Sequence, residues 1–184
     1  PWRFGTLDRL VRKRNYKIWL NDQDLYQRMR NLALKGRINP VRGNLNGDVT
    51  VKGIADTAKR MSVPVRIMYF SNAEEYMKAY SPSFIANFSS LPVDEKSKVL
   101  RTISVYRRIL PWSPDSELCS DKGFHYSVMP AGIFQSWLVN TNRKFNVVDI
   151  LKTGEINRED GISVVSKMPA PQEKTPENKD TGRK

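Results

Sequence analysis

Two segments near the start of the chain carry apolar residues at the spacing of a helix. The first follows Thr6, a residue type that caps helices, and the second begins near Asn21 and ends at Gly36. The apolar positions are Leu7, Leu10 and Val11 in the first segment and Leu25, Met29 and Leu32 in the second. Both segments are rich in Lys and Arg, so the pattern predicts two basic amphipathic helices.

Two further helices are predicted in the middle of the chain. The sequence Ser71-Asn72-Ala73-Glu74 has the form of a capping box, which predicts a helix that runs to about Tyr80 and ends before Pro82. The segment Ser90–Leu110 is predicted to be the longest helix. Its stripe, which we expect to lie in the core, consists of Val99, Leu100, Ile103, Tyr106 and Leu110.

Short β-rich stretches dominate the last third of the chain before a polar tail. They are Phe124–Met129, Phe145–Leu151 and Ile162–Val165, and the sequence TGEINREDG between the last two is hairpin-like. Residues 167–184 contain three prolines, many charges and no large apolar residue after Met168, which is typical of a disordered tail.

These elements predict an α+β fold with a basic, helical N-terminal part. The rest of the fold is expected to mix helices with a small antiparallel sheet and to end in the disordered tail. We expect a basic amphipathic arm over residues 1–20, a single α+β domain over residues 21–166 and the tail over residues 167–184.

The segment Val49–Phe70 has two interpretations. As a helix-turn-helix, Ser62 would cap the second helix and Arg66 would project toward DNA. The sequence IADTAKRMSVPVRIMYF resembles the helix-turn-helix of MerR-type transcription regulators, which would imply a DNA-binding regulator. As strand, turn and strand, residues 49–51 and 63–70 would use their β-branched and aromatic side chains on a pleated surface. The low helix propensity of residues 67–70 favours the strands.

Charge is concentrated in the first two fifths of the chain. Residues 1–72 hold 15 Lys and Arg against 5 Asp and Glu, so they contribute +10 of the net charge of +12. Clustered cations attract a polyanion and release its counterions, which favours binding to a nucleic-acid backbone. The candidate contacts are Arg9, Arg12, Lys13, Arg14, Lys17, Arg28, Arg30, Lys35, Arg37, Arg42, Lys59, Arg60 and Arg66. The candidates for stacking on bases are Tyr16, Trp19 and Tyr26.

Motifs for catalysis are missing from the sequence. The chain has one histidine, His125, and one cysteine, Cys119, whose acidic neighbours disfavour a thiolate. There is no G-x-S-x-G elbow, no zinc motif, no Walker loop and no dinucleotide-binding fingerprint. We therefore expect no enzyme activity, no metal, no cofactor and no small-molecule substrate.

A second function class remains open beside nucleic-acid binding. A peripheral structural protein, matrix-like or shell-like, could lay an N-terminal helix on an anionic membrane, with Trp2, Phe4, Leu7 and Leu10 in the interface. No apolar run approaches the roughly 20 residues of a membrane span, and a lone cysteine is typical of a reducing, intracellular compartment. Either class implies a subunit with protein partners or a homo-oligomer. The sequence does not separate RNA from DNA, or cytoplasm from nucleoid, nucleus or organelle.

Overall fold

The computed structural model describes residue 15 and residues 17–104, 124–141, 144–157 and 162–169. Its contacts divide the chain into two compact units, Pro1–Arg42 and Gly43–Lys184. The division into an arm over residues 1–20, a domain over 21–166 and a tail stays a prediction. The helix predicted after Thr6 lies outside the described residues, and so does the predicted tail except for residues 167–169.

The first unit contains helix α1, Gln23–Leu34, close to where the sequence predicts it. Asp22 caps its N-terminus, because its carboxylate accepts a hydrogen bond from the Leu25 N–H at 3.0 Å, and this bond is the main reason that the pKa of Asp22 is lowered. Gly36 follows the C-terminus with φ +61°, a conformation that glycine adopts without strain. No residue of α1 is buried, so this helix does not contribute to the core.

The second unit is an α+β fold built on a mixed sheet. Its helices are α2 (Thr50–Arg60), α3 (Pro82–Ser89), α4 (Ala131–Asn140) and α5 (Val147–Leu151), with a 3₁₀ helix at Ala73–Tyr76. Its strands are β1 (Ile67–Tyr69), β2 (Lys98–Ser104), β3 (Phe124–Pro130), β4 (Glu155–Asn157) and β5 (Ile162–Val164). The sheet order is β1-β2-β3-β5-β4. The pairs β1–β2 and β3–β5 are parallel, so the expectation of an antiparallel sheet is wrong.

One face of this sheet and the helices enclose a single hydrophobic core. Strand residues that alternate along β2, such as Val99 and Ile103, are fully buried there with Phe84 of α3 and Phe134 of α4. Aromatic rings form the centre: Phe84 stacks on Tyr80 at a centroid distance of 4.6 Å, and Phe134 meets both rings edge-on. This packing fixes the position of the two longest strands.

The predicted helix Ser90–Leu110 is wrong, because residues 98–104 form strand β2. Val99 and Ile103 are four residues apart, a spacing that suits a helix face and also suits one face of a strand. The Asp94 carboxylate closes a turn before β2 by accepting a hydrogen bond from the Lys96 N–H at 3.0 Å. Residues 105–110 lie outside the described residues.

Neither interpretation of residues 49–70 is correct throughout. The strand predicted at 49–51 is wrong, because α2 begins at Thr50 and buries Val51, Ala55 and Ala58 on one face. The helix-turn-helix is also wrong, since the residues from Ser62 to Phe70 form no helix and include strand β1. The strand predicted in the second half is confirmed for Ile67–Tyr69.

Two other boundaries differ from the prediction. Pro82 begins helix α3 rather than ending one, because Ser81 caps this helix by accepting the Phe84 N–H at 3.1 Å and proline is tolerated in a first turn. The strand predicted at 145–151 is helix α5, which Asn146 and Asp149 close with a reciprocal capping box. The strands at 124–129 and 162–165 are confirmed, and the hairpin partner of β5 is β4.

Replacing Gly53 by alanine should stabilise the second unit by about 0.5–1 kcal/mol. Gly53 lies inside α2 at an exposed position, and a Cβ added there would meet no atom within 4 Å. Alanine therefore removes the conformational entropy cost of glycine without a clash. Urea denaturation of both proteins measures the difference, and an equal or lower midpoint for Gly53→Ala would contradict this expectation.

Candidate nucleic-acid interface

Helix α1 separates its cations into two groups. Arg28 and Lys35 are seven residues apart, so they lie about 20° from each other around the helix axis. Arg30 lies about 160° from Arg28, on the other side of the apolar stripe. Arg28 and Lys35 therefore lie together on one side of α1, whereas Arg30 lies on another side.

The other predicted contacts of the first unit are exposed outside the helix. Lys17 forms an ion pair with Asp22, with 3.5 Å between the Nζ and Oδ2 atoms. Arg37 and Arg42 are exposed in the segment after Gly36, which has no regular secondary structure. Trp19 and Tyr26, two of the stacking candidates, are also about half exposed.

The predicted contacts of the second unit are not equivalent. Lys59 and Arg60 project from the exposed side of α2, where Arg60 donates a hydrogen bond to the Thr57 hydroxyl at 3.2 Å. Arg66 is paired with Asp94, with 2.7 Å between its Nη1 and the Oδ1 atom. The charge of Arg66 is therefore already matched within the fold.

Several predicted site residues cannot be placed. Arg9, Arg12, Lys13, Arg14 and Tyr16 lie outside the described residues, and so does Cys119. For His125 the structure describes the backbone, which pairs with Ile103 in the sheet. The predicted arm therefore remains a prediction.

Sequence reasoning missed a buried polar cluster around Arg101. Its guanidinium donates to Glu74 from Nε at 2.6 Å and from Nη2 at 3.3 Å, and both side chains are completely buried. The Tyr80 hydroxyl donates to the same carboxylate at 2.5 Å. The Arg101 guanidinium also lies over the Phe134 ring, 5.1 Å from its centre. The capping role predicted for Glu74 is therefore wrong. Its carboxylate instead neutralises the Arg101 guanidinium in the core.

Burial makes this cluster structural rather than catalytic. Burial, followed by the negative charge of Glu74, raises the pKa of Tyr80 well above its ordinary value, so the phenol stays protonated and keeps donating. A catalytic group must reach its substrate, and Glu74 and Arg101 have no accessible surface. One signal that could have indicated the cluster is period-two alternation in residues 98–104, which places Arg101 between Val99 and Ile103.

The sequence Asn87-Phe88-Ser89 has the form of an N-glycosylation sequon, but the fold uses the Asn87 side chain for its own hydrogen bonds. The Asn87 amide is buried and donates to the carbonyl oxygens of Leu45 at 3.0 Å and Gly47 at 2.6 Å. These bonds hold the segment before α2 against α3. The side chain that would carry a glycan is thus used for packing.

The described residues contain neither a metal site nor a membrane-spanning helix. No group of three or more His, Cys, Asp and Glu residues in that part of the chain could hold a metal ion. Likewise, none of the helices that the structure describes is both long enough and apolar enough to cross a membrane.

Comparison with known proteins gives a family without an activity. No curated protein matches the chain. A family model described as a domain of unknown function, DUF7790, matches residues 1–166, which include both units as far as the end of strand β5. Because this match spans most of the 184 residues, the chain belongs to the DUF7790 family.

Proposed function

We propose that this protein binds the backbone of a nucleic acid, without catalysis and without a cofactor, as a subunit of a larger assembly. Its cations would neutralise phosphates and release the counterions condensed on them. We place this activity in a reducing intracellular compartment, in keeping with the single cysteine.

One observation carries the proposal: apart from Lys17, the cations that the structure describes in the first unit are exposed and form no ion pair with a described residue. Residues 1–42 contain 11 Lys and Arg against 3 Asp and Glu. Arg28, Arg30, Lys35, Arg37 and Arg42 are all exposed, and none of them forms an ion pair with a residue that the structure describes. A surface that served only solubility would intersperse both signs of charge. An unmatched excess of one sign instead favours a polyanion.

A second candidate is docking on an anionic membrane. Tyr26, Met29 and Leu32 are exposed on the apolar side of α1, and Arg28 and Arg30 flank that side. This arrangement suits a helix lying in a lipid interface. Nucleic acid is the stronger candidate because Arg37 and Arg42 lie beyond the helix, where an interfacial helix would not use them.

Binding measured over a series of salt concentrations tests the proposal. We expect the full chain to bind labelled single-stranded RNA or duplex DNA with an affinity that falls steeply with salt. In the triple variant Arg28→Ala, Arg37→Ala, Arg42→Ala, the slope of log affinity against log salt should fall by about 2 for a single strand. Each lost phosphate contact removes about 0.7 from that slope.

The matched control removes three exposed lysines from the second unit, Lys78, Lys96 and Lys152, with the same change of net charge. This control variant should keep most of the wild-type slope of log affinity against log salt. Equal slopes in the two triple variants would show that binding depends on net charge alone, and the proposed binding surface would then be wrong. Binding to anionic vesicles, with none to either nucleic acid, would make the membrane candidate correct.

A further inference from the structure

The two faces of the sheet differ sharply in burial. Cross-strand partners point to the same side, so Val99, Arg101 and Met129 lie on the face that is buried under the helices. The next residue along each strand points to the opposite side, which we call the open sheet face. Its apolar members are Ile67 and Tyr69 of β1, Leu100 of β2, Tyr126 and Val128 of β3, and Ile162 and Val164 of β5.

These apolar side chains are accessible. Tyr69 is 60% exposed, Ile67 is 58% exposed and Tyr126 is 52% exposed, although apolar side chains in a sheet are usually covered. Leu100 and Val128, which lie between β1 and Tyr126, are partly exposed, and so is Ile162, which lies beside Tyr126 on β5. Thr102, the cross-strand partner of Tyr126 on the same face, is buried, so the exposed apolar side chains lie beside a covered position. Accessible apolar side chains on four adjacent strands are typical of an interaction site.

The register places the two tyrosines within reach of one ligand. Tyr69 is the partner of Leu100, Leu100 is the partner of Val128, and Tyr126 lies two residues from Val128 on β3. With about 4.8 Å between strands and about 3.4 Å per residue, the two Cα atoms are about 12 Å apart. This separation suits bases of an extended single strand that are two nucleotides apart.

The charges around the open sheet face suit an anion. Lys98 lies on this face beside Ile67, and its ammonium donates to the Glu95 carbonyl at 3.2 Å without an ion pair to any described carboxylate. Glu155, on β4 at the far edge, is matched by Lys167 at 3.9 Å. A second copy of the chain would be a poorer occupant, because each copy carries a net charge of +12.

We propose that the open sheet face binds the unpaired bases of a single-stranded nucleic acid, with Tyr69 and Tyr126 as stacking platforms and Lys98 as a contact to a phosphate. Every base has a π face that can stack on an aromatic ring, so this binding tolerates any sequence. The inference rests on the proposed function, because it takes the same class of ligand, and it specifies the strand state. RNA and single-stranded DNA share the chemistry that is recognised.

The test compares tyrosine variants of the full chain in binding to labelled oligo-rU, oligo-dT and a duplex. We expect the single strands to bind more tightly than the duplex. Tyr69→Ala and Tyr126→Ala should each weaken single-strand binding roughly five- to 150-fold, whereas Tyr→Phe at either position should retain it, because phenylalanine still stacks. The slope of log affinity against log salt should not change in these variants, since no phosphate contact is lost. A comparison of the affinities for oligo-rU and oligo-dT shows whether RNA or single-stranded DNA is the preferred ligand.

The matched control is Tyr76→Ala, since Tyr76 is a tyrosine of the same unit, 71% exposed, that lies on the 3₁₀ helix. If the wild type binds nucleic acid but Tyr69→Ala and Tyr126→Ala bind as well as Tyr76→Ala, the sheet-face inference fails while the proposed function stands. If the wild type binds no nucleic acid, the proposed function itself fails. A dimer that dissociates on Tyr69→Ala would also overturn the inference, because the face would then join two copies. Circular dichroism should show that all variants remain folded.

Discussion

Replacing Arg101 by methionine should lower the free energy of unfolding by about 3–5 kcal/mol. The substitution leaves the Glu74 carboxylate in the core without its cation, with a hydrogen bond from the Tyr80 hydroxyl still in place. In the intact pair, the mutual attraction of the two charges offsets their desolvation penalties. When one partner is removed, the other charge keeps its penalty without the attraction, so the loss of stability exceeds the net contribution of the pair. Urea denaturation followed by tryptophan fluorescence measures the loss.

Two further variants separate the buried charge from the loss of the arginine side chain. Arg66→Met removes the exposed pair with Asp94 and should cost no more than about 1 kcal/mol. The double variant Glu74→Leu, Arg101→Met should recover much of the lost stability, because no buried charge is then left alone. A cost below 1 kcal/mol for Arg101→Met, or no recovery in the double variant, would contradict the role assigned to this pair.

Replacing Phe134 by alanine should be about as destabilising, at about 3–5 kcal/mol. The Phe134 ring is fully buried and contacts the rings of Phe70, Tyr80 and Phe84. Its removal opens a cavity in the aromatic core and takes away the ring over which the Arg101 guanidinium lies. Chemical denaturation again provides the measurement.

Tyr76→Ala serves as the matched control for this core substitution, since the exposed side chain should change stability by less than about 0.5 kcal/mol. Phe134→Leu should fall between the two, because leucine fills part of the cavity. Were Phe134→Ala no worse than Phe134→Leu, the close packing described for this core would be wrong.

Local signals predicted the parts of the fold that depend on local interactions. Helix α1 was correctly predicted because a polar cap, an apolar stripe and Gly36 all act within a few residues of it. Strand β3 was correctly predicted from its own aromatic and β-branched side chains. The α+β class followed from such segments taken together.

Where two local interpretations competed, long-range packing decided the outcome. Residues 98–104 satisfy helical and strand spacing alike, and the pairing of β2 with β1 and β3 selects the strand. The parallel pairs join residues 31 positions apart in β1–β2 and 36 positions apart in β3–β5, so no local pattern could have indicated them. For the same reason the sheet was expected to be antiparallel.

The excess positive charge of the candidate site could be predicted from the sequence, but the ion pairs could not. The excess of Lys and Arg before residue 73 can be counted from the sequence, and those cations in the described residues are exposed. That Asp94 matches Arg66, and that Glu74 matches Arg101, depends on contacts between residues 27 or 28 positions apart. The open sheet face could not be predicted from the sequence, because only the strand register shows which side chains lie on the same side of the sheet.

The position of β5 between β3 and β4 has a consequence for synthesis of the chain on the ribosome. Strand β3 can pair with β2 as soon as Pro130 has emerged, but its other edge stays open until Ile162–Val164 is made. A nascent chain that stops short of β5 therefore exposes an unpaired strand edge, the kind of edge that joins other chains. Chains released early should aggregate rather than fold, whereas translation through Val165 closes the sheet.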